Sequence, residues 1–260
     1  MNDKTNKKPR FAQFFLTQAV IFIFFSAFAI FSCAPSASII VNQNNSIEIS
    51  AKNTASQELN SIAKNMTKSN SNGNSPEAVF SQKEIQNLLK EIGINSNEIK
   101  IENAIDFSVE KVKISEKQIQ NDEDLSNSFS VSKISDTNIF KLTLDPDYIF
   151  GKADENEDLQ DILEMLMAPV YTREDLSSDE YIECIASFYG KKTATKFKNS
   201  NFVIEIQFPS KIKSYSISKE EHSFNKVNAT IKSDENKATI IIPIYKFLCK
   251  DEPTSFTIEY

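Results

Sequence analysis

The sequence predicts an α+β fold: a largely antiparallel sheet with helices packed on it, preceded by a hydrophobic N-terminal helix. Three observations point there. Apolar and polar residues alternate through residues 98–144 and again through residues 202–260, the period of strands with one buried face. Between and before those blocks, apolar residues recur at helical spacing, with capping signals at Ser81 and Ser177. Strands and helices come in separate runs, and the strands carry polar side chains opposite their apolar ones. That pattern belongs to antiparallel strands with one wet side.

In chain order, Ile39 and Val41 precede the polar turn Asn42-Gln43-Asn44-Asn45, and Ile47, Ile49 and Ala51 then alternate with Glu48 and Ser50. This is a β-hairpin pattern. Leu59, Ile62, Ala63 and Met66 follow at amphipathic helical spacing, and the apolar-free stretch around residues 67–75 reads as a flexible polar linker. Ser81 and Glu84 form a capping-box pair flanked by Phe80 and Ile85. The stripe Ile85, Leu88, Leu89 and Ile92 then runs to a stop at Gly93.

Ile105, Phe107 and Val109 alternate in one parity, Val112 and Ile114 in the other, which predicts a bulge or a bend near Lys111. An acidic loop at Asp122-Glu123-Asp124 separates them from the strand residues Phe129 and Val131, and Phe140, Leu142 and Leu144. Leu159, Ile162, Leu163 and Leu166 share a helix face that Pro169 ends. A second helix opens at Ser177 with Glu180 three residues on, carries Tyr181, Ile182, Ile185, Phe188 and Tyr189, and stops at Gly190. In the tail, Phe202, Ile204, Ile206 and Phe208 form one strand, and Val227, Ala229 and Ile231 another. The turn Asp234-Glu235-Asn236-Lys237, then Ile240 and Ile242, then Phe256, Ile258 and Tyr260 complete the pattern.

The first 33 residues obey a different grammar. Lys4, Lys7, Lys8 and Arg10 make a positive start, residues 11–31 are mostly aromatic and aliphatic, and Ser32 stands before Cys33. Those are the three parts of a secretory signal. A membrane-spanning helix needs about 20 apolar residues. Gln13, Thr17 and Gln18 interrupt the first half, so the apolar run proper is residues 19–31, closer to the apolar region of a signal helix.

Around the cysteine, Ile30, Ser32 and Ala34 resemble a bacterial lipobox, from which Phe31 departs at the middle position. Looser boxes of this kind are similar to those of spirochaete lipoproteins, whose Asn, Lys, Ile and Phe bias this chain shares. The resemblance implies a signal peptide over residues 1–32, cut between Ser32 and Cys33. It also implies a lipid on Cys33, and a domain over residues 33–260 held at the periplasmic or outer side of a bacterial envelope. Each buried lipid CH₂ contributes about 0.8 kcal/mol, so two or three acyl chains would anchor stably where one would not. The order of hairpin, helical middle and closing strands also resembles, at the level of fold, the LppM-type domain of some bacterial lipoproteins.

Composition excludes several functions. The leader holds four of the 29 basic residues and one of the 36 acidic ones, leaving a formal charge of −10 from Cys33 onward. Arg173 is the single arginine of that part, so a nucleic-acid partner is not expected. Gly73, Gly93, Gly151 and Gly190 are isolated from one another, and neither a phosphate-cradling loop nor a dinucleotide fingerprint can be assembled from them. His222 is the only histidine and lies in the charged stretch Lys219-Glu220-Glu221-His222-Ser223, which reads as a solvated turn. Multi-histidine zinc sites are therefore impossible.

The remaining candidate residues are few. Cys184 and Cys249 are either a disulfide, as an extracytoplasmic compartment permits, or two buried thiols among apolar neighbours; the sequence leaves both open. Asp154, Asn156 and Asp158 imitate the first ligands of a calcium loop, but Leu159 stands where glycine is needed and Met165 where a bidentate glutamate is needed. The run is better explained as negative charge at a helix start. No GxSxG occurs, and no pair of the many carboxylates is singled out for catalysis. No catalytic residue, metal site or cofactor is assigned. The expected function is an envelope-anchored binding or structural domain, with the membrane and an envelope protein or lipid as partners. The alternative is an envelope hydrolase working through carboxylates or serine, with or without calcium.

Overall fold

A computed structural model describes residues 36–53, 99–101, 107–121, 123–146, 164, 167–218, 228–250 and 252–260. The leader with Ser32 and Cys33, the linker expected at 67–75, the helices expected at 59–66 and 81–92, the acidic run at 154–158, the helix residues expected at Leu159, Ile162, Leu163 and Leu166, and His222 lie outside the described residues.

The fold is α+β. Strands β1 (Ser36–Val41), β2 (Ile47–Asn53), β3 (Ile99–Ile101) and β4 (Phe107–Ile114) share a seven-stranded sheet with β7 (Asn201–Gln207), β9 (Thr230–Asp234) and β10 (Lys237–Pro243), in the order β3-β4-β2-β1-β7-β10-β9. A four-stranded sheet holds β5 (Phe129–Ile134), β6 (Thr137–Leu144), β8 (Ser214–Ile217) and β11 (Thr254–Glu259), in the order β5-β6-β11-β8. Pairing is antiparallel except between β1 and β7. The helices are α1 (Glu116–Asn121), α2 (Glu123–Ser128), α3 (Pro169–Thr172), α4 (Ser178–Tyr189), α5 (Lys191–Lys198) and α6 (Ile244–Phe247).

The long sheet follows from its alternation. Ala37, Ile39 and Val41, then Ile47, Ile49 and Ala51, then Phe202, Ile204 and Ile206, then Ala238, Ile240 and Ile242 are all buried, and all point to one face. The opposite face mixes polar residues with Ile40, Val203 and Ile241, and it carries Lys237 paired to Glu205 at 3.0 Å and Lys113 to Glu48 at 3.7 Å. The first hairpin closes where the four polar residues stand: the Asn42 N–H donates to the Ser46 carbonyl at 2.9 Å, and Asn45 takes the left-handed conformation (φ 60°) that asparagine tolerates. The expected bulge exists. Ile49 pairs with Val112 but Ala51 with Val109, so β4 carries one extra residue at Glu110-Lys111 and its apolar parity inverts there.

Two expectations change, and the Pro169 reading gains a detail. The acidic stretch at 122–124 is not a plain loop: α1 and α2 flank Asp122. The cause is local, because Ser115 and Gln118 make a capping box, with the Gln118 N–H reaching Ser115 Oγ at 3.3 Å and the Ser115 N–H reaching Gln118 Oε1 at 2.9 Å. Pro169 opens the one-turn α3 as its first residue, where its missing N–H costs nothing. The strands also sort into two sheets. The turn lies after β7, where Phe208 leaves the long sheet and its ring packs against Phe140 at 5.7 Å and Tyr260 at 4.7 Å. The Lys213 N–H then bonds the Glu259 carbonyl, and the chain enters β8.

Candidate functional site

Among the described residues, Tyr181, Tyr189, Cys184 and Cys249 come together in the helical layer, where α4 packs on α5 and α6. Helix α4 forms because Ser177 caps it: the Glu180 N–H reaches Ser177 Oγ at 3.3 Å, and the Ser177 N–H donates back to Glu180 Oε2 at 2.8 Å. The Ser177 hydroxyl and N–H hold the Glu180 carboxyl below the usual range. At the other end Gly190 sits at φ 84°, a conformation open to glycine, and releases the chain into α5. Helix α5 carries little apolar signal: only Ala194 and Phe197 of its eight residues are buried.

Tyr181 is the centre of this layer. It is fully enclosed and meets the Phe197 ring edge-on at 5.9 Å. Burial raises its phenol well above the ordinary value, and the nearby Cys249, Tyr189 and Cys184 add to the shift because their own negative charge would oppose a phenolate. Cys249 is buried just after α6, and burial pushes its thiol up to about 12. Cys184 is half-buried on α4. Both cysteines are unbridged thiols in this structure. The nucleophilic form of cysteine is the thiolate. Cys249 is therefore held in its unreactive form at neutral pH, and the layer has the chemistry of a core, with Tyr181 enclosed against the Phe197 ring.

Lys250, next in the chain, has no exposed surface. Sequence reading passed over it because lysine is rarely enclosed, and nothing in Cys249-Lys250-Asp251 announces burial. Phe188 runs the other way. Its spacing groups it with the buried residues of α4, yet it is 71 % exposed, while Tyr181 and Ile185 are buried. The helix ends one residue later, so no further turn covers it.

The other sequence candidates do not meet here. Ser32, Cys33, Asp154, Asn156, Asp158 and His222 lie outside the described residues. Among the described residues, no three His, Cys, Asp or Glu side chains converge in a way that could hold a metal ion, and no helix is long and apolar enough to cross a membrane. Comparison with protein-family models, with curated proteins and with solved structures finds no match to this chain.

Proposed function

We propose that the chain is a lipid-anchored envelope protein whose domain acts by binding or by structural interaction. The observation that supports this reading is the place of β1. It begins three residues after Cys33 and pairs on both edges, with β2 and with β7, in the middle of the long sheet. Three extended residues reach about 10 Å. An acyl group on Cys33 would thus be coupled to the best-paired part of the fold and hold the domain against the bilayer, with its polar sheet face free to meet a partner.

The anchor is tested by metabolic labelling with a radioactive fatty acid in a bacterial host that processes lipoproteins. The full chain should take up label and partition with membranes; Cys33→Ala should lose both. A Cys33→Ala chain that keeps its label and its fractionation refutes the anchor. The binding role is tested by placing a photo-crosslinking side chain at Ser38, Glu205 or Thr239, which lie in one row across the polar face. A reproducible envelope adduct supports it, and blanks at all three positions refute it.

A further inference from the structure

We infer that the outer edge of β8 pairs with the same edge of a second copy of this chain, joining two four-stranded sheets into one continuous sheet. The pairing stands apart from the lipid anchor and does not depend on it.

The hydrogen bonds of β11 fix which groups this edge offers. Tyr260 and Asn138 exchange both backbone bonds, at 2.9 and 3.2 Å, so the even-numbered residues of β11 bond to β6. Its odd-numbered residues, Ser255, Thr257 and Glu259, therefore face β8. In that register the Ser218 N–H donates to the Ser255 carbonyl at 2.8 Å. Ser214, Ser216 and Ser218 are thereby committed to β11. The N–H and C=O groups of Tyr215 and Ile217 point the other way, and among the described residues β8 has no second neighbour.

Among the described residues, β3, β9, β5 and β8 are the strands that end the two sheets. Charged side chains, lysine above all, guard such an edge against pairing with another chain. Strand β3 holds Lys100, β5 holds Lys133, and β9 holds Lys232 with Asp234. Strand β8, Ser214-Tyr215-Ser216-Ile217, holds no charge. Lys213 precedes it and is drawn back over the sheet, its ammonium reaching Thr137 Oγ1 at 3.2 Å and the Asp136 carbonyl at 3.4 Å. In a chain of formal charge −7 two copies repel, and an uncharged edge is where they meet with least repulsion. The edge also complements itself. An antiparallel pairing about a two-fold axis at Ser216 sets Tyr215 opposite the partner's Ile217, and every free N–H and C=O of the edge then finds a partner. Tyr215 is 47 % exposed although it shares a face with the buried Ile258, its neighbour on β11. The partner's Ile217 would cover it, an aromatic ring beside a β-branched side chain. Strands of four residues make a contact below about 1,200 Å², the range of weak and reversible interfaces, so the pairing is read by trapping it.

On the two-fold axis, the Cα of Ser216 would stand about 4.5 Å from its counterpart, a separation that suits a disulfide. Ser214 would lie four residues out of register with its own counterpart, about 14 Å away and too far to bridge. Ser216→Cys, Ser214→Cys and, on the β5 edge, Ser132→Cys are made separately in the full chain, purified in detergent and mildly oxidised. Ser216→Cys should be trapped as a covalent dimer, and the other two should stay at the level of the unsubstituted chain, whose own cysteines set the background. Adding Tyr215→Lys, which gives β8 the guard that the other edges carry, should abolish the Ser216→Cys dimer. Circular dichroism checks that this variant folds, and the contrast between positions decides alone if it does not. No trapping at Ser216, equal trapping at all three positions, or a dimer that survives Tyr215→Lys in a folded chain overturns the pairing. Oxidation of whole cells that links Ser216→Cys to another protein instead of to itself also overturns it, and assigns the edge to an extended segment of that protein.

Discussion

The long sheet and the helical layer at its end bury their side chains by different rules. In β1, β2, β7 and β10 every second residue is apolar and inward, and the residues between are half-buried or exposed, among them Glu205 paired to Lys237 and Glu48 paired to Lys113 of β4. The helical layer instead encloses groups that can ionise: Tyr181 and Cys249, both with raised pKa values caused first by burial. The sheet therefore depends on apolar area, which pH does not alter, and the helical layer depends on keeping the Tyr181 phenol and the Cys249 thiol neutral.

Phe208 joins the long sheet to the short one, so its removal is the severest way to test the first half of that contrast. Phe208→Ala should cost about 3–5 kcal/mol in denaturant unfolding at any pH between neutral and mildly alkaline, from the lost ring and the cavity left against Phe140 and Tyr260. A loss below 1 kcal/mol would mean that the sheets do not depend on this contact.

Alkali tests the helical layer. Cys249 titrates near 9.0 when unfolded and near 12 when folded, so the folded state binds the proton more tightly. Its contribution is complete below pH 9 and is lost as pH rises towards 12, in total up to about 4 kcal/mol. Tyr181, also raised, shifts stability in the same direction. Unfolding free energy measured from pH 8 to pH 11 should fall, and Cys249→Ala should flatten the curve; an unchanged slope in that variant would remove the thiol from the account.

The smallest effect is expected on the wet face. Glu205 and Lys237 are 47 % and 46 % exposed, and solvent screens them, so a double-mutant cycle should give a coupling of no more than about 1 kcal/mol that falls with added salt. A larger, salt-insensitive coupling would show that this face is not open to water.

The elements legible in the sequence were those whose evidence is local. Period-two alternation located β1, β2, β7, β10 and β11, a parity switch located the bulge in β4, and a serine with a glutamate three residues on located the start of α4. Ser115 and Gln118 carry the same kind of signal, and the acidic residues that follow them have the composition of a loop and obscure it. Helix α5, four of whose eight residues are lysine, and the one-turn α6 carry too few apolar positions for a period to show.

The amino-acid order by itself determined which face of each strand is apolar, where most turns fall and where α4 starts and stops, since each depends on neighbours a few residues away. Only the tertiary structure decided that the eleven strands among the described residues divide into two sheets, that β1 pairs in parallel with a strand more than 160 residues later, and that Tyr181, Cys249 and Lys250 are enclosed while Phe188 is not. Those outcomes turn on which surfaces meet across long loops, and alternation specifies a face without naming its partner.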